Sequence, residues 1–152
     1  MTISEALKEG SSCLSGRKSP LLDCELVLAH ALGFKREELT SNSNDSIEES
    51  ELLMFRSYLE RLKSGEPVAY ITNSKEFFGH NFFVDQRVLI PRPETELLVE
   101  RALDFLRTVP GNSRLRILDL GVGSGCISIS IAKALEEEQL DVIDQIFAVD
   151  VS

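Results

Sequence analysis

Residues 118–125 read Leu-Asp-Leu-Gly-Val-Gly-Ser-Gly and contain three closely spaced glycines. An apolar run from Leu115 to Leu120 predicts a buried strand before this loop, and Ser124 to Leu135 predicts a helix after it. Glycine permits a sharp turn and lets a ligand approach without a Cβ atom in the way, and a helix start directs free N–H groups at that ligand. With a second apolar run from Ile146 to Val151, predicted as another buried strand, the pattern is β–loop–α–β. It predicts the α/β class, a right-handed parallel unit and a nucleoside-type ligand; the alternative is a tight turn without a ligand.

Two carboxylates accompany the loop, Asp119 at the end of the first strand and Asp150 at the end of the second. An acid in the position of Asp150 can accept hydrogen bonds from ribose hydroxyls. The spacing G-x-G-x-G differs from the G-x-G-x-x-G of dinucleotide sites. A cationic ligand tolerates two acids better than a pyrophosphate does, which favours S-adenosyl-L-methionine over NAD. In the alternative interpretation Asp119 only braces the loop through backbone N–H groups, and Asp150 is a solvated strand end.

Residues 1–65 predict a helical bundle. Thr2 or Ser4 suits the N-cap of the first helix. Ser19-Pro20 begins a second helix that ends at Gly33 and is apolar nearly all round, so we expect a central position. Ser46 with Glu49 predicts a capping box for a third long helix. The inward face of that helix is Leu52, Phe55, Leu59 and Leu62.

The pattern changes at Pro67, where a β connector is predicted over residues 66–92. Its short aromatic and β-branched runs are Val68 to Ile71, Glu76 to Phe78 and Asn81 to Val84, with Gly79-His80 as a turn. Residues 93–152 predict the first part of a ligand-binding domain. It begins with an amphipathic helix over Pro93 to Val109, whose predicted inward residues are Leu98, Ala102, Phe105 and Leu106.

Composition excludes several classes of function. A net charge of −9 argues against direct nucleic-acid binding and against steering to anionic membranes. Three cysteines without a C-x-x-C pair, and two histidines without ligand spacing, predict no disulfide framework and no metal site; we expect the thiols to be small buried groups. No apolar run reaches the roughly 18 residues of a membrane span. The sequence predicts a cytoplasmic protein.

Five segments in fixed order resemble one enzyme family. They are Pro67 to Ile71, Glu76 to Gly79, Leu89 to Glu96 (Leu-Ile-Pro-Arg-Pro-Glu-Thr-Glu), Ile117 to Gly125 and Ala148 to Ser152. The chain resembles the HemK-type peptide chain release factor N5-glutamine methyltransferases over its whole length. Val122 stands where a threonine is usual in that family. A sister family methylates a ribosomal protein and typically has Pro-Arg-Ser-Pro at the third segment. The Pro-Arg-Pro-Glu-Thr-Glu of this chain therefore resembles the release factor enzymes more.

The resemblance implies a helical substrate-recognition domain over 1–65, the connector, and the start of a Rossmann-like methyltransferase fold that is truncated here. It implies methyl transfer from S-adenosylmethionine to the glutamine of the Gly-Gly-Gln tip of release factors. We expect a monomer. The implied cofactor contacts are Gly121, Val122, Gly123, Ser124, Gly125 and Asp150. Glu94 or Thr95 would line the pocket, unless the acids there only support helix initiation.

The family's catalytic Asn-Pro-Pro-Tyr loop does not occur among these residues. We therefore assign no catalytic residue, and expect the 152 residues alone to lack activity. The alternatives are a non-catalytic release-factor-binding module, or a methyltransferase acting on another protein or a nucleic acid.

Overall fold

The structure is a computed structural model that describes residues 1–151. The chain is mixed helix and strand and divides into two compact units, Met1–Thr72 and a second unit that begins at Asn73. The predicted division into segments 1–65, 66–92 and 93–152 stays a prediction. Ser152, the last residue of the fifth motif, lies outside the described residues.

The first unit consists of helices. They are α1 (Ile3–Cys13), α2 (Pro20–Leu32), the short α3 (Glu38–Ser41), α4 (Glu49–Lys63) and α5 (Val68–Thr72). Two predicted caps are confirmed. The hydroxyl of Thr2 accepts a hydrogen bond from the Glu5 amide at 3.2 Å, and the Glu5 carboxylate accepts one from the Thr2 amide. Gly33 ends α2 in the left-handed conformation.

The capping box predicted for α4 is wrong by two residues. Glu48 is the N-cap, and its partner is Glu51, whose carboxylate accepts the Glu48 amide at 3.0 Å. The reason lies in a distant part of the chain: Ser46 forms a β-bridge with Thr2, and the buried Ile47 donates its amide to Met1 O at 3.0 Å. This extended backbone holds Ser46 outside the helix.

The strand predicted at Val68 to Ile71 is also wrong, because these residues are helical. The carbonyl of Pro67 accepts the amides of Tyr70 at 3.1 Å and Ile71 at 3.3 Å, which forms the first turn. The hydroxyl of Thr72 returns to Val68 O at 3.1 Å. The turn buries Ile71 against the helical core, and this packing outweighs the β propensity of the sequence.

The core of the first unit lies between α1, α2 and α4. The predicted face of α4 is confirmed, with Phe55, Leu59 and Leu62 buried and Leu52 packed against them. The helix α2 is less central than predicted, since Leu21 and Leu22 are exposed. Its inward side is Cys24, Val27, Leu28 and Ala29.

Helices α1, α2 and α4 approach closely at Gly10. A Cβ atom built there would lie 2.5 Å from the Sγ atom of Cys24 and 2.9 Å from the Cζ atom of Phe55. Separations this short are steric overlaps, so the packing of the three helices requires a residue without a side chain at this position.

A β-hairpin opens the second unit. Strand β1 (Ser74–Phe77) pairs antiparallel with β2 (His80–Phe83). The turn is Phe78-Gly79, one residue earlier than predicted, with φ of 50° and 73°. Positive φ at both central residues is the geometry of a type I′ turn, which matches the twist of the flanking strands. Phe77 and Phe82 meet edge to face with ring centroids 6.1 Å apart in the core of this unit.

A 3₁₀ turn (Pro93–Thr95) leads into α6 (Glu96–Arg107). Its inward face is Val99, Leu103 and Leu106, with Ala102 partly buried. The predicted inward positions Leu98 and Phe105 are exposed. Apolar residues lie on both sides of this helix, so sequence periodicity alone did not determine which side packs.

The β–loop–α–β pattern is confirmed as β3 (Leu115–Leu120), α7 (Cys126–Glu137) and β4 (Ile143–Val149), with the two strands parallel. Both strands were predicted to be buried, but the structure buries them only in part. Leu118 is 59% exposed and Leu120 is 73% exposed, and on β4 Phe147 and Val149 are exposed as well. Alternation along a strand sends neighbouring side chains to opposite faces, and residues 1–151 cover one face of this sheet.

Candidate functional site

The loop between β3 and α7 is built from glycines in the left-handed region. The φ angles of Gly121, Gly123 and Gly125 are 76°, 51° and 78°. Side chains rarely adopt these angles, so each of the three positions favours glycine. Gly125 is the N-cap of α7, and a Cβ atom there would lie 2.9 Å from the Cδ1 atom of Ile129.

Backbone hydrogen bonds attach the loop to the neighbouring strand. The amides of Gly121 and Val122 donate to Val149 O at 2.7 and 3.2 Å, and the Gly125 amide donates to Val122 O at 2.8 Å. The loop therefore closes against the end of β4. The side chain of Val122 takes no part in these bonds, so the departure from the usual threonine leaves this backbone arrangement intact.

Asp150 lies directly after β4 and is joined to the glycine loop. Its Oδ2 atom accepts the amide of Gly123 at 2.7 Å, and its Oδ1 atom accepts the amide of Val151 at 2.7 Å. The structure thus brings Asp150 together with the predicted loop residues. A carboxylate fixed by two N–H donors is oriented before any ligand arrives.

Asp119 has a partner that the sequence did not indicate. Its Oδ2 atom accepts the hydroxyl of Ser128 at 2.6 Å, and Ser128 is buried in the first turns of α7. The structure shows a side-chain brace between β3 and α7, in place of the backbone contacts considered for Asp119. The available signal for Ser128 was a serine between isoleucines in the first turns of the predicted helix.

Cys126 occupies the first position of α7, beside the loop. Burial raises the pKa of its thiol, while a hydrogen bond with Ser124 acts in the opposite direction. A thiol with a raised pKa is a poor nucleophile at neutral pH. We therefore assign Cys126 a packing role at the loop.

The acids of the Pro-Arg-Pro-Glu-Thr-Glu segment have different surroundings. Glu94 is exposed in the 3₁₀ turn, whereas Glu96 is half-buried. The Oε1 atom of Glu96 accepts the Phe78 amide at 3.1 Å, which ties the start of α6 to the hairpin turn. Thr95 is half-buried and precedes α6.

Two predicted absences concern metals and membranes. Within residues 1–151, no group of histidine, cysteine or acidic side chains has the arrangement of a metal site. None of the helices described in that range is long and apolar enough to cross a membrane. Of the three thiols, Cys24 is buried as expected, but Cys13 is exposed because it ends α1 on the outer side.

Comparison with known proteins gives two results. Residues 5–72 match the PrmC N-terminal domain family. The whole chain is similar to proteins named release factor glutamine methyltransferase. It is 42% identical over 113 residues to the one from Nitratidesulfovibrio vulgaris, 40% over 139 residues to the one from Burkholderia pseudomallei, and 39% over 152 residues to the one from Bacillus subtilis.

The resemblance to the HemK-type release factor methyltransferases is confirmed. The three alignments cover 74%, 90% and 99% of this chain, and 37%, 48% and 51% of the respective relatives. The chain thus spans about half the length of these relatives, or less. The PrmC N-terminal domain match falls in the first unit, and the glycine loop falls in the second.

Proposed function

We propose that the protein belongs to an enzyme that methylates the side-chain amide nitrogen of a glutamine in the Gly-Gly-Gln tip of peptide chain release factors. The observation that carries this proposal is the loop of left-handed glycines, closed onto β4 and joined to Asp150 through the Gly123 amide. The names of the relatives supply the substrate class. We place the activity in the cytoplasm, where release factors act on ribosomes. We also propose that the protein is a monomer.

S-adenosylmethionine suits the loop for two reasons. A Cβ atom at Gly121 would meet nothing within 4 Å, and one at Gly123 would meet only Gly121 O at 4.0 Å, so the loop backbone faces open space. The acids nearby, Asp119 and Asp150, suit a ligand that carries a sulfonium and an ammonium group. The cofactor supplies the methyl group when it is bound.

The chain's own residues would bind and orient that cofactor. Gly121, Val122, Gly123, Ser124 and Gly125 would present the loop backbone, and Asp150 would accept hydrogen bonds from ribose hydroxyls. The parallel pair β3 and β4, with α7 between them in sequence, corresponds to the start of a Rossmann-like sheet. The first unit, with its PrmC N-terminal domain match, would recognise the release factor.

Catalysis requires more than these residues. An amide nitrogen is a weak nucleophile, so an enzyme must align it with the methyl group and hold its N–H bonds with fixed acceptors. The resemblance assigns this task to Asn-Pro-Pro-Tyr, which the 152 residues do not contain. We therefore propose that they bind partners without transferring a methyl group.

Calorimetric titration with S-adenosylmethionine tests the cofactor site. We expect the chain to bind, and Asp150→Ala to weaken binding at least tenfold, because hydrogen bonds to a charged group contribute about 1.5–3 kcal/mol each. Asp150→Asn keeps an acceptor for Gly123 and should lose less. Asp144→Ala, at an exposed acid of β4, is the matched control. Equal affinity of the Asp150→Ala and Asp144→Ala variants would contradict the assignment.

A second experiment separates the alternatives. Incubation with a release factor and radiolabelled cofactor should give no methylated product, and label on the Gly-Gly-Gln glutamine would refute the proposed inactivity of these residues. Capture of release factor with no dependence on S-adenosylmethionine, combined with no cofactor binding, would favour a non-catalytic binding module. If the full enzyme labels another protein or a nucleic acid, a methyltransferase that acts on that other substrate would be favoured.

A further inference from the structure

A groove of about 660 Å³ lies beside the glycine loop, within the second unit. Its walls are the outer side of α7, the loop at Gly123 and Ser124, and the hairpin; the hairpin contributes Gly79 to Phe83. Gly123 and Ser124 of the proposed cofactor loop line it, whereas Gly121 and Asp150 do not. The hairpin, Val88 and the outer side of α7 go beyond the proposed function, since neither the cofactor nor the Gly-Gly-Gln glutamine is assigned to them.

The ionisable side chains that line the groove are basic, although the protein is acidic. Lys133 and His80 are the ionisable residues among those that line it, and no carboxylate does, although the net charge of the chain is −9. Lys133 is exposed and forms no ion pair with the residues that the structure describes. A local basic site on an acidic protein favours an acidic ligand over a basic one.

The apolar part of the groove favours a peptide over a simple anion. Phe83 is 65% exposed, and Val88 and Ile129 line the groove with it. Exposed aromatic and branched side chains next to a lysine provide contacts that a phosphate group would leave unused. A nucleic acid is disfavoured because it carries a phosphate at every nucleotide, and the single lysine of the groove would neutralise only one of them.

The edge of β2 provides the remaining element of recognition. The Val84 amide donates to Asn73 O at 3.4 Å, which fixes the alternation of the hairpin. The backbone groups of His80 and Phe82 therefore face β1, and those of Asn81 and Phe83 face away. An unpaired strand edge binds an extended peptide by adding it as a further strand.

The hairpin is held in this position before a ligand binds. The Phe78 amide donates to Glu96 at 3.1 Å and the Gly79 amide donates to Glu76 at 2.9 Å, so both turn residues are fixed by carboxylates. Phe77 and Phe82 anchor the strands in the core. A site that is already ordered loses less entropy when a ligand binds.

We propose that this groove binds an extended acidic segment of a protein partner, which adds to the edge of β2 at Asn81 and Phe83 and directs a carboxylate to Lys133. Apolar side chains of the same segment contact Phe83 and Ile129. The strand edge supplies affinity, and Lys133 supplies the preference for acidic over neutral side chains.

The test uses a blocked hexapeptide that alternates valine with aspartate or glutamate, titrated into the chain by NMR. We expect shifts at the amides of Asn81 and Phe83, and about tenfold weaker binding when asparagine and glutamine replace the acids. Methylation of alternate peptide nitrogens should abolish binding, because it removes the donors that pair with a strand edge. Absence of binding at about 1 mM peptide would overturn the proposal.

Two pairs of variants separate local from general effects. Lys133→Glu should weaken peptide binding about tenfold, whereas Lys18→Glu makes the same change in net charge at an exposed lysine of the first unit and should not. Phe83→Ser should weaken binding, whereas Phe105→Ser should not, because Phe105 is 62% exposed but does not line the groove.

The two proposals can fail separately, because no cofactor contact is assigned to Phe83 or Lys133. If the two variants of either pair change peptide binding equally, the acidic-peptide site is refuted. Preferential binding of an oligonucleotide or inorganic phosphate would refute it as well. Neither result would change the evidence for cofactor binding. If the unsubstituted chain does not bind the cofactor, the proposed function is refuted. Peptide binding in the same sample would still support the acidic-peptide site.

Discussion

Replacement of Gly10 by alanine tests the packing of the first unit. The new methyl group would lie 2.5 Å from the Sγ atom of Cys24 and 2.9 Å from the Cζ atom of Phe55. Overpacking of a core costs about 1–3 kcal/mol, and the better helix propensity of alanine returns about 1 kcal/mol. We therefore expect Gly10→Ala to lower the free energy of unfolding by about 1 kcal/mol.

A double-mutant cycle with Cys24→Ala makes the expectation specific. Removal of the buried sulfur alone leaves a small cavity and should cost about 1–2 kcal/mol. With alanine at position 10, the methyl group occupies part of that space and the closest clash disappears. The double variant should therefore be less destabilised than the sum of the single variants by about 1–2 kcal/mol.

The assay is urea unfolding followed by tyrosine fluorescence. The chain has two tyrosines and no tryptophan, and both Tyr58 and Tyr70 lie in the first unit. The signal therefore reports on this unit without interference from the second. Gly16→Ala is the control, because a Cβ atom there meets nothing within 4 Å. If the effects of Gly10→Ala and Cys24→Ala on the free energy of unfolding add to within about 0.3 kcal/mol, the expected clash is refuted.

Three further substitutions follow from other contacts. Gly125→Ala should lower cofactor affinity at least tenfold in calorimetry, because φ is 78° and the added carbon lies 2.9 Å from Ile129 Cδ1; unchanged affinity would contradict the loop assignment. Burial raises the pKa of the Cys24 thiol from 9.0 to about 12, so its share of stability is complete below pH 9 and falls as pH rises towards 12. Cys24→Ala should flatten the pH dependence of urea unfolding between pH 8 and about 10.5. In the unsubstituted chain, mass spectrometry should show alkylation of the exposed Cys13 long before that of Cys24. Equal alkylation rates would argue against burial of Cys24. Thr2→Ala should cost about 0.5–2 kcal/mol in the tyrosine-detected unfolding, and Thr2→Ser almost nothing, since serine preserves the cap.

Several elements were predictable because local chemistry determined them. The caps of α1 and α2, the face of α4, and the loop with glycines at 121, 123 and 125 each depend on residues a few positions apart. The link between Asp150 and the loop was predictable in outline, because the ends of neighbouring parallel strands lie at the same edge of a sheet.

The errors arose where distant residues determine the local structure. The start of α4 depends on pairing between Thr2 and Ser46, which no local pattern shows. Five residues after Pro67 are too few to display a helical period, and burial of Ile71 decides their conformation. The hydrogen bond between Ser128 and Asp119 joins residues nine positions apart in two different elements, and a hydroxyl in a helix has several alternative partners.

One face of the sheet is uncovered by the described residues, and this affects how the isolated 152-residue chain behaves in solution. Leu118, Leu120, Phe147 and Val149 present an apolar surface on a chain with a net charge of −9. Mutual repulsion between copies opposes their association through this surface at low ionic strength, and salt screens that repulsion. Solubility should therefore decrease when salt is added, and again as the pH approaches the isoelectric point near 4.7.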